Sequence, residues 1–415
     1  MSRPRPREHR RGLRARASTL ALSLSLALGA REAAADPYRL RGDAYAFANA
    51  PSPVGLITLS GQAKPTSWAS AEAAVWMGTG QGTEDVGGDV LVANLLLREP
   101  HGYGELRAGR MLLTAGAIRP LQIDGASVLG RIPRGPSLQV FGGAPVTPAF
   151  ATKPYDWATG GHLSQRIGEL GALGVSYLQR REEGRIAYEE LGFDAAFSPA
   201  RWLDAGTDVA VDLLHQAVTN ARASIALRFG RVRFEMFGLR RSPAYLLPAT
   251  SLFAALGNVP SDQAGGQLWL RAAPRLDVWA SAAVDSLAGD LGGRQSVHTV
   301  LRLDDRGDGA VWFELTRKWA PGASWTGGRG MIRLPLVHRL TASAEVEIAV
   351  PDEPADRGDV WPWALVTMSY SPSFARWLQL TAGAEAGASP TNESFVSALG
   401  RLEATWDRPA ARGKP

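Results

Sequence analysis

Residues 203–213 read LDAGTDVAVDL, and the order of apolar and polar residues in this stretch decides the fold. In an extended chain successive side chains point to opposite sides. Leu203, Ala205, Thr207, Val209, Val211 and Leu213 therefore share one face, and Asp204, Gly206, Asp208, Ala210 and Asp212 share the other. No helix gathers this pattern onto one side, because the helical period is about 3.6 residues. Segment 219–229 repeats it, with Ala221, Ala223, Ile225, Leu227 and Phe229 against Asn220, Arg222, Ser224 and Arg228. Segments 340–350, 376–386 and 395–406 follow the same rule; the last sets Val396, Ala398, Leu402, Ala404 and Trp406 against Ser397, Arg401, Glu403 and Thr405. One face suits hydrocarbon and the other water.

A soluble β-sandwich also alternates, and strand length separates the two. The segments here run about ten to thirteen residues, whereas soluble strands average about five or six and a tilted membrane-crossing strand needs about nine to eleven. The connections add a second test. Reading back from Trp406, long ones fall near 387–393, 351–360, 320–328, 287–293 and 242–263, and short ones near 371–375, 337–339, 304–309, 273–275 and 229–231. Long external loops alternating with short periplasmic turns are the habit of outer-membrane barrels.

Continued through a loop near 147–157 to a first strand at 38–48, the count reaches about 22, within a range of 16 to 22 because 38–66 and 114–136 are poorly periodic. The predicted fold class is all-β, a transmembrane antiparallel up-and-down β-barrel. Hydrocarbon offers the backbone no partners, so the strands must close on themselves. A strand follows the leader almost at once, leaving no room for an N-terminal plug domain. The short turns carry a degenerate repeat, FSPARWL at 197–203 and YSPSFARWL at 370–378. Its Arg-Trp pairs suit the headgroup zone, where snorkelling cations and amphipathic rings are stable, and this puts Trp202 and Trp377 at a rim.

Residues 1–35 have the pattern of a secretory signal: seven Arg between 3 and 16, a short apolar run at 17–28, and Ala33-Ala34-Ala35 before a cut at Asp36. The apolar run is about twelve residues, too few for a spanning helix of about twenty. Arg10-Arg11 lacks the apolar pair of a twin-arginine signal, so the general secretory route is expected. The domains expected are thus the leader at 1–35, the barrel at 36–406 and a short polar tail at 407–415. The whole chain has 45 Lys and Arg against 40 Asp and Glu; without the leader the numbers are 37 and 38. That near-neutrality removes the composition argument for a nucleic-acid partner. There is no Cys, which excludes a lipoprotein anchor, disulfides and thiolate chemistry.

With 16 or more strands a barrel encloses a lumen unless something enters it. The residues predicted to line it are Asp204, Asp208, Asp212, Arg222, Arg228, Arg233, Arg271, Arg302, Glu345, Glu347, Arg401 and Glu403, together with Glu314. Centring the first hairpin near Gln216 sets Asp212 opposite Asn220, Asp208 opposite Ser224 and Asp204 opposite Arg228. An acidic ladder then lies beside a basic one and creates a transverse field. Loops 147–157 and 242–263 are the candidates for narrowing the bore, the second for its apolar run Leu246–Leu256.

The run GELRAGR at 104–110, followed by Arg119 and Asp124-Gly125, resembles the arginine-rich strand motif of porin-like families such as the alginate-export barrels. The resemblance covers about 40 residues and implies an outer-membrane diffusion pore; it brings no substrate with it. Barrels of that kind usually end on an aromatic residue, whereas here Trp406 is followed by DRPAARGKP.

Enzyme readings find little support in the sequence. His101, His162, His215, His298 and His338 show no metal-ligand spacing. Ser296 and His298 share one face of a strand, as the pair of a lipid-hydrolysing barrel enzyme would, and that enzyme stands as a third reading, but neither a carboxylate to orient the His nor an oxyanion donor is nominated. Asp304–Gly309 lacks the alternating acidic ligands of a calcium loop and reads as a turn. No cofactor is expected. The functional expectation is a porin-like channel in the outer membrane of a Gram-negative-type bacterium, passing small hydrophilic solutes passively. The alternative is a sealed barrel working through its surface loops in anchoring, adhesion or assembly. The expected partners are outer-membrane lipid, the barrel-insertion machinery and small polar solutes, and a homo-oligomer is compatible with the pattern.

Overall fold

The computed structural model describes residues 38–408, apart from 50–53, 80–86, 147–155, 242–260, 288, 305–307, 321–323, 338, 354–358 and 389–393. Segment 1–35 and most of loops 147–157 and 242–263 lie outside the described residues. The first half of the chain forms β1 (Tyr38–Asn49), β2 (Val54–Ala63), β3 (Ala69–Thr79), β4 (Gly87–Arg98), β5 (Gly104–Leu113), β6 (Leu121–Arg131), β7 (Pro136–Pro145), β8 (Trp157–Ile167), β9 (Gly171–Glu182), β10 (Arg185–Ala200) and β11 (Leu203–Asp212). The second half forms β12 (Ala217–Phe229), β13 (Val232–Arg241), β14 (Ser261–Ala273), β15 (Leu276–Leu287), β16 (Asp290–Arg302), β17 (Ala310–Trp319), β18 (Trp325–Val337), β19 (Leu340–Pro351), β20 (Trp361–Tyr370), β21 (Leu378–Gly387) and β22 (Phe395–Arg408).

Each strand pairs antiparallel with the next, and β1 pairs with β22 from Tyr38 opposite Arg408 to Asn49 opposite Ser397. The sheet is therefore a closed 22-stranded barrel with no free edge. The β1–β22 seam includes Asp407, which the sequence reading put in the tail; its carboxylate holds Arg39 at 2.9 Å.

Alternation sets the two faces. Leu59, Val128, Phe193, Met236, Val297, Leu315, Val346, Val366 and Leu402 are large, apolar and exposed, and all fall on one side of the sheet. The opposite parity holds Asp43, Asp277, Ser296, Glu314 and Thr316, all buried by side-chain pairing. The apolar side faces out, as expected. Trp202 stacks on outward-facing Phe229 and Trp377 on outward-facing Trp406, at ring distances of 6.2 and 4.9 Å, so both Arg-Trp turns supply rim aromatics.

Two local expectations are corrected. The long connection read at 287–293 lies largely within strand: β15 runs to Leu287 and β16 begins at Asp290, its cross-strand partner, with Gly289 at φ +94°. The glycines that suggested a loop serve another purpose: Gly293 lies opposite Trp319, whose ring occupies the space of a Cβ. In the β11–β12 hairpin the register differs from the expectation by two residues below the bulge, with Asp208 opposite Arg222 and Asp204 opposite Ala226, and by three beyond it, with Asp212 opposite Ala217. Thr219 is the bulged extra residue, and Gln216 closes the turn at φ +51°. A shift of two keeps every side chain on its face, so the inner set survives the error.

Candidate functional site

The site is the inner wall and the element that enters it. Strands about 4.8 Å apart and tilted by about 40° close, at 22 strands, into a cylinder on the order of 40 Å across. Side chains alone do not fill that width. The connection between β5 and β6, residues 114–120, turns inward and packs on the wall.

Three observations place it there. Ala115, Ala117 and Ile118 are buried. A Cβ on Gly116 would lie 2.5 Å from an Asp194 carboxylate oxygen and 2.7 Å from the His162 ring, both on inner faces of β10 and β8. A Cβ on Gly192 of β10 would meet the Ile118 nitrogen at 3.1 Å and the Ala117 methyl at 3.2 Å. Below the tip, Met111, Leu113, Leu121 and Ile123 pack with Phe141 and Leu178 in the main apolar cluster of the protein. Met111, Ile123 and Leu178 are fully buried. At about 1.5–3 kcal/mol each, as an upper bound, those three side chains alone hold the tip in place by several kcal/mol.

Glycines allow the bend. Gly109 lies opposite Gly125, and Gly125 opposite Gly143, a row across β5, β6 and β7. Gly109 has φ +117°, a conformation L side chains avoid, and a Cβ on Gly125 would overlap the Gly142 carbonyl and come within 2.6 Å of the Gly143 Cα. Above this row β5 leaves β4. Their ladder runs only from Ala93 opposite Arg110 to Arg98 opposite Glu105, although β4 continues to Gly87 and β5 to Leu113. Side chains close the gap: Arg110 donates to the Val90 carbonyl at 2.8 Å and Gln122 to the Leu91 carbonyl at 2.5 Å. Arg110 also grips Asp124 through two hydrogen bonds of 2.7 and 2.8 Å and reaches Asp89 at 3.0 Å. The motif residues Gly109-Arg110 and Asp124-Gly125 are thus cross-strand partners that shape and latch the inward hairpin.

The sequence reading did not nominate this element. Its signal is the run Met111-Leu112-Leu113 and the later Ile118 and Leu121, where alternation fails. Of these, Met111, Leu113, Ile118 and Leu121 are buried against the wall, whereas Leu112 is 55% exposed on the side that faces the bore.

Every residue predicted for the lumen falls on the inward parity of its strand. Their pairing differs from two segregated ladders. Asp204 binds Arg228 diagonally at 2.7 Å, and Arg233 binds Glu235 on its own strand at 2.7 Å. Asp277 takes both Arg302 and Arg271, Arg329 takes Glu345 and reaches Glu347 at 3.8 Å, and Arg401 joins Asp43 and Glu403 at 2.6 and 2.7 Å. Asp208 accepts from Asn220 at 2.9 Å. Asp212 is fully buried, accepts from the Leu214 and His215 backbone and meets His215 Nδ1 at 2.7 Å; it fixes a turn and is out of reach of a solute. Among the described residues, Arg107, Arg222 and Arg333 stand on the inner wall without an ion pair. Within the same residues no group of three or more His, Asp or Glu forms a metal site.

No protein-family model matches the chain, and no curated protein sequence does. Solved structures match its fold. The Escherichia coli P pilus tip assembly intermediate PapC-PapD-PapK-PapG aligns with 90% of this chain at 11% identity and TM-score 0.55, and this chain spans 61% of the chain matched. The P pilus usher translocation pore aligns at 11% identity over 89% of this chain and 99% of that one, with TM-score 0.48. Pseudomonas aeruginosa OpdK, solved with vanillate, aligns at 12% identity over 90% and 98%, with TM-score 0.41. At such identities the likeness is one of architecture alone: a closed antiparallel β-barrel.

Proposed function

We propose that the protein is an outer-membrane channel of Gram-negative-type bacteria through which small hydrophilic solutes diffuse, narrowed by the inward β5–β6 hairpin. The observation that carries this reading is the inner wall. Around a circumference too wide for side chains to fill, it presents ion-paired Arg, Asp and Glu together with unpaired Arg107, Arg222 and Arg333. A sealed structural barrel gains nothing from such a surface, because buried charges cost desolvation energy that apolar packing avoids. Passage is selected by size at the hairpin and by local charge along the wall. The outward apolar band is the surface for membrane lipid, and insertion proceeds through the cell's barrel-assembly machinery.

The test is ion conductance of the purified protein in planar bilayers, with swelling of solute-loaded liposomes alongside it. The expected result is stepwise current and entry of small sugars. Inserted, heat-modifiable protein that carries neither would overturn the channel reading and leave a barrel acting through its loops.

A further inference from the structure

Apart from any conduction, the wall of β15–β17 holds three side chains in the order a serine hydrolase requires. The His298 Nε2 lies 2.9 Å from the Ser296 hydroxyl oxygen, and its Nδ1 lies 3.6 Å from Glu314 Oε2. The strand geometry makes this possible. Ser296 and His298 are two residues apart on one face, and Glu314 is the direct cross-strand partner of His298. The second Glu314 oxygen, Oε1, is engaged by the Thr316 hydroxyl at 2.6 Å and by Arg294 at 3.1 Å, which leaves Oε2 turned to the imidazole. His298 Nδ1 is buried and makes no hydrogen bond within the described residues. A proton on Nδ1, facing that carboxylate, leaves Nε2 free to accept from Ser296. A distance of 3.6 Å exceeds a formed hydrogen bond, and such contacts tighten when a substrate is bound.

Neighbouring side chains orient the group. Trp279 stacks on the imidazole at 4.8 Å with an interplanar angle of 8°, fixing its plane, and Trp312 flanks it at 5.9 Å. The Ser281 hydroxyl lies 2.7 Å from that of Ser296 and can turn its hydrogen to an oxyanion forming there. Arg294, exposed on the same face, supplies a cation at the mouth.

We propose that Ser296, His298 and Glu314 form an esterase site in the barrel wall, acting on small carboxylic esters that carry a flat ring. The Ser296 oxygen bonds to the ester carbonyl carbon as its proton passes to His298 Nε2. The carbon–oxygen bond to the alcohol then breaks, and Nε2 returns the proton to the departing alcohol. Water repeats the sequence on the acyl-serine, releasing the carboxylic acid and restoring the hydroxyl.

A fluorophosphonate probe and p-nitrophenyl butyrate, applied to the full-length protein folded in detergent, test this without reference to conductance. The expected result is a covalent adduct on Ser296 by peptide mass spectrometry, with turnover of the ester. Ser296→Ala removes both, His298→Ala slows labelling by about a hundredfold or more, Glu314→Gln slows it less, and Ser343→Ala leaves it unchanged. Heat-modifiable migration verifies the fold of each variant. An unlabelled, correctly folded wild type overturns the proposal, as does labelling that survives Ser296→Ala or keeps its rate in His298→Ala.

Discussion

At the scale of single residues, the least replaceable are those that let backbones touch. Gly125 sits where three strands bend together, with Gly142 and Gly143 against the space of its missing Cβ, whereas Gly130 on the same strand has nothing within 4 Å of that space. Overpacking of this kind costs about 1–3 kcal/mol or more, since backbone must move. Gly125→Val is therefore expected to lower the urea midpoint of refolding into bilayers, or to abolish the folded band, and Gly130→Val to leave both unchanged. Equal midpoints for the two variants would show that the glycine row is incidental. Outside the membrane span, Glu99 organises the β4–β5 turn. Its carboxylate accepts from the His101 backbone at 2.9 Å, meets the His101 ring and accepts from the Tyr103 backbone at 3.1 Å, and these contacts hold its pKa below the usual carboxylate range. A lowered pKa favours the charged form in the folded state. The turn thus gains stability above the ordinary carboxylate pKa and loses it as pH falls through the lowered native value. A carboxyl-carbon titration resolved at Glu99 is expected to show a midpoint below that of a Glu-containing peptide; an ordinary midpoint would mean that the turn does not depend on this charge.

At the scale of elements, most strands were legible because membrane and lumen impose opposite demands on alternate residues. Segment 203–213 could be assigned both a fold and an inner face from eleven letters, and β12, β19, β21 and β22 likewise. What alternation could not supply was register within a hairpin, since the Thr219 bulge and the turn at Gln216 depend on contacts with Ala210 and Glu190 across two strands. Nor could it mark the β5–β6 tip, where the chain leaves the lipid-and-water geometry and packs one face on the inner wall while Leu112 on the other stays exposed. Residues such as Glu314 were readable as inward but not as partners of His298, because pairing is a property of neighbouring strands. The tip is the element whose removal is most informative. Replacing Thr114–Arg119 with two glycines shortens the hairpin above its apolar base and withdraws Ala115, Ala117 and Ile118 from the bore. The single-channel conductance of this variant is expected to rise clearly above that of the wild type, with the folded band retained. Unchanged conductance in a folded variant would place the narrowest section elsewhere.

At the scale of the whole molecule, the question is what electric field a solute meets between the two mouths. The inner wall carries many charges, yet most are joined as close pairs of opposite sign: Asp43 with Arg41 and Arg401, Asp204 with Arg228, Glu235 with Arg233, and Asp277 with Arg271 and Arg302. A paired wall behaves as a set of short dipoles whose fields fade within about a Debye length, roughly 8 Å at physiological salt, well short of the axis of so wide a tube. The sequence after position 35 is close to neutral as well, with 37 basic and 38 acidic residues. Weak discrimination between small cations and anions follows, and a potassium chloride gradient across the reconstituted protein is expected to give a reversal potential near zero. The unpaired cations are the exception, and Arg222 offers the sharpest handle because it stands directly opposite Asp208. Arg222→Glu sets two carboxylates face to face on the conducting surface and removes the nearest positive charge, so the reversal potential moves toward that of potassium. Arg222→Gln moves it in the same direction by less. The shift shrinks as salt is raised, because screening shortens the reach of the new charge. A variant that conducts with an unaltered reversal potential at low salt would mean that ions do not pass this section of the wall.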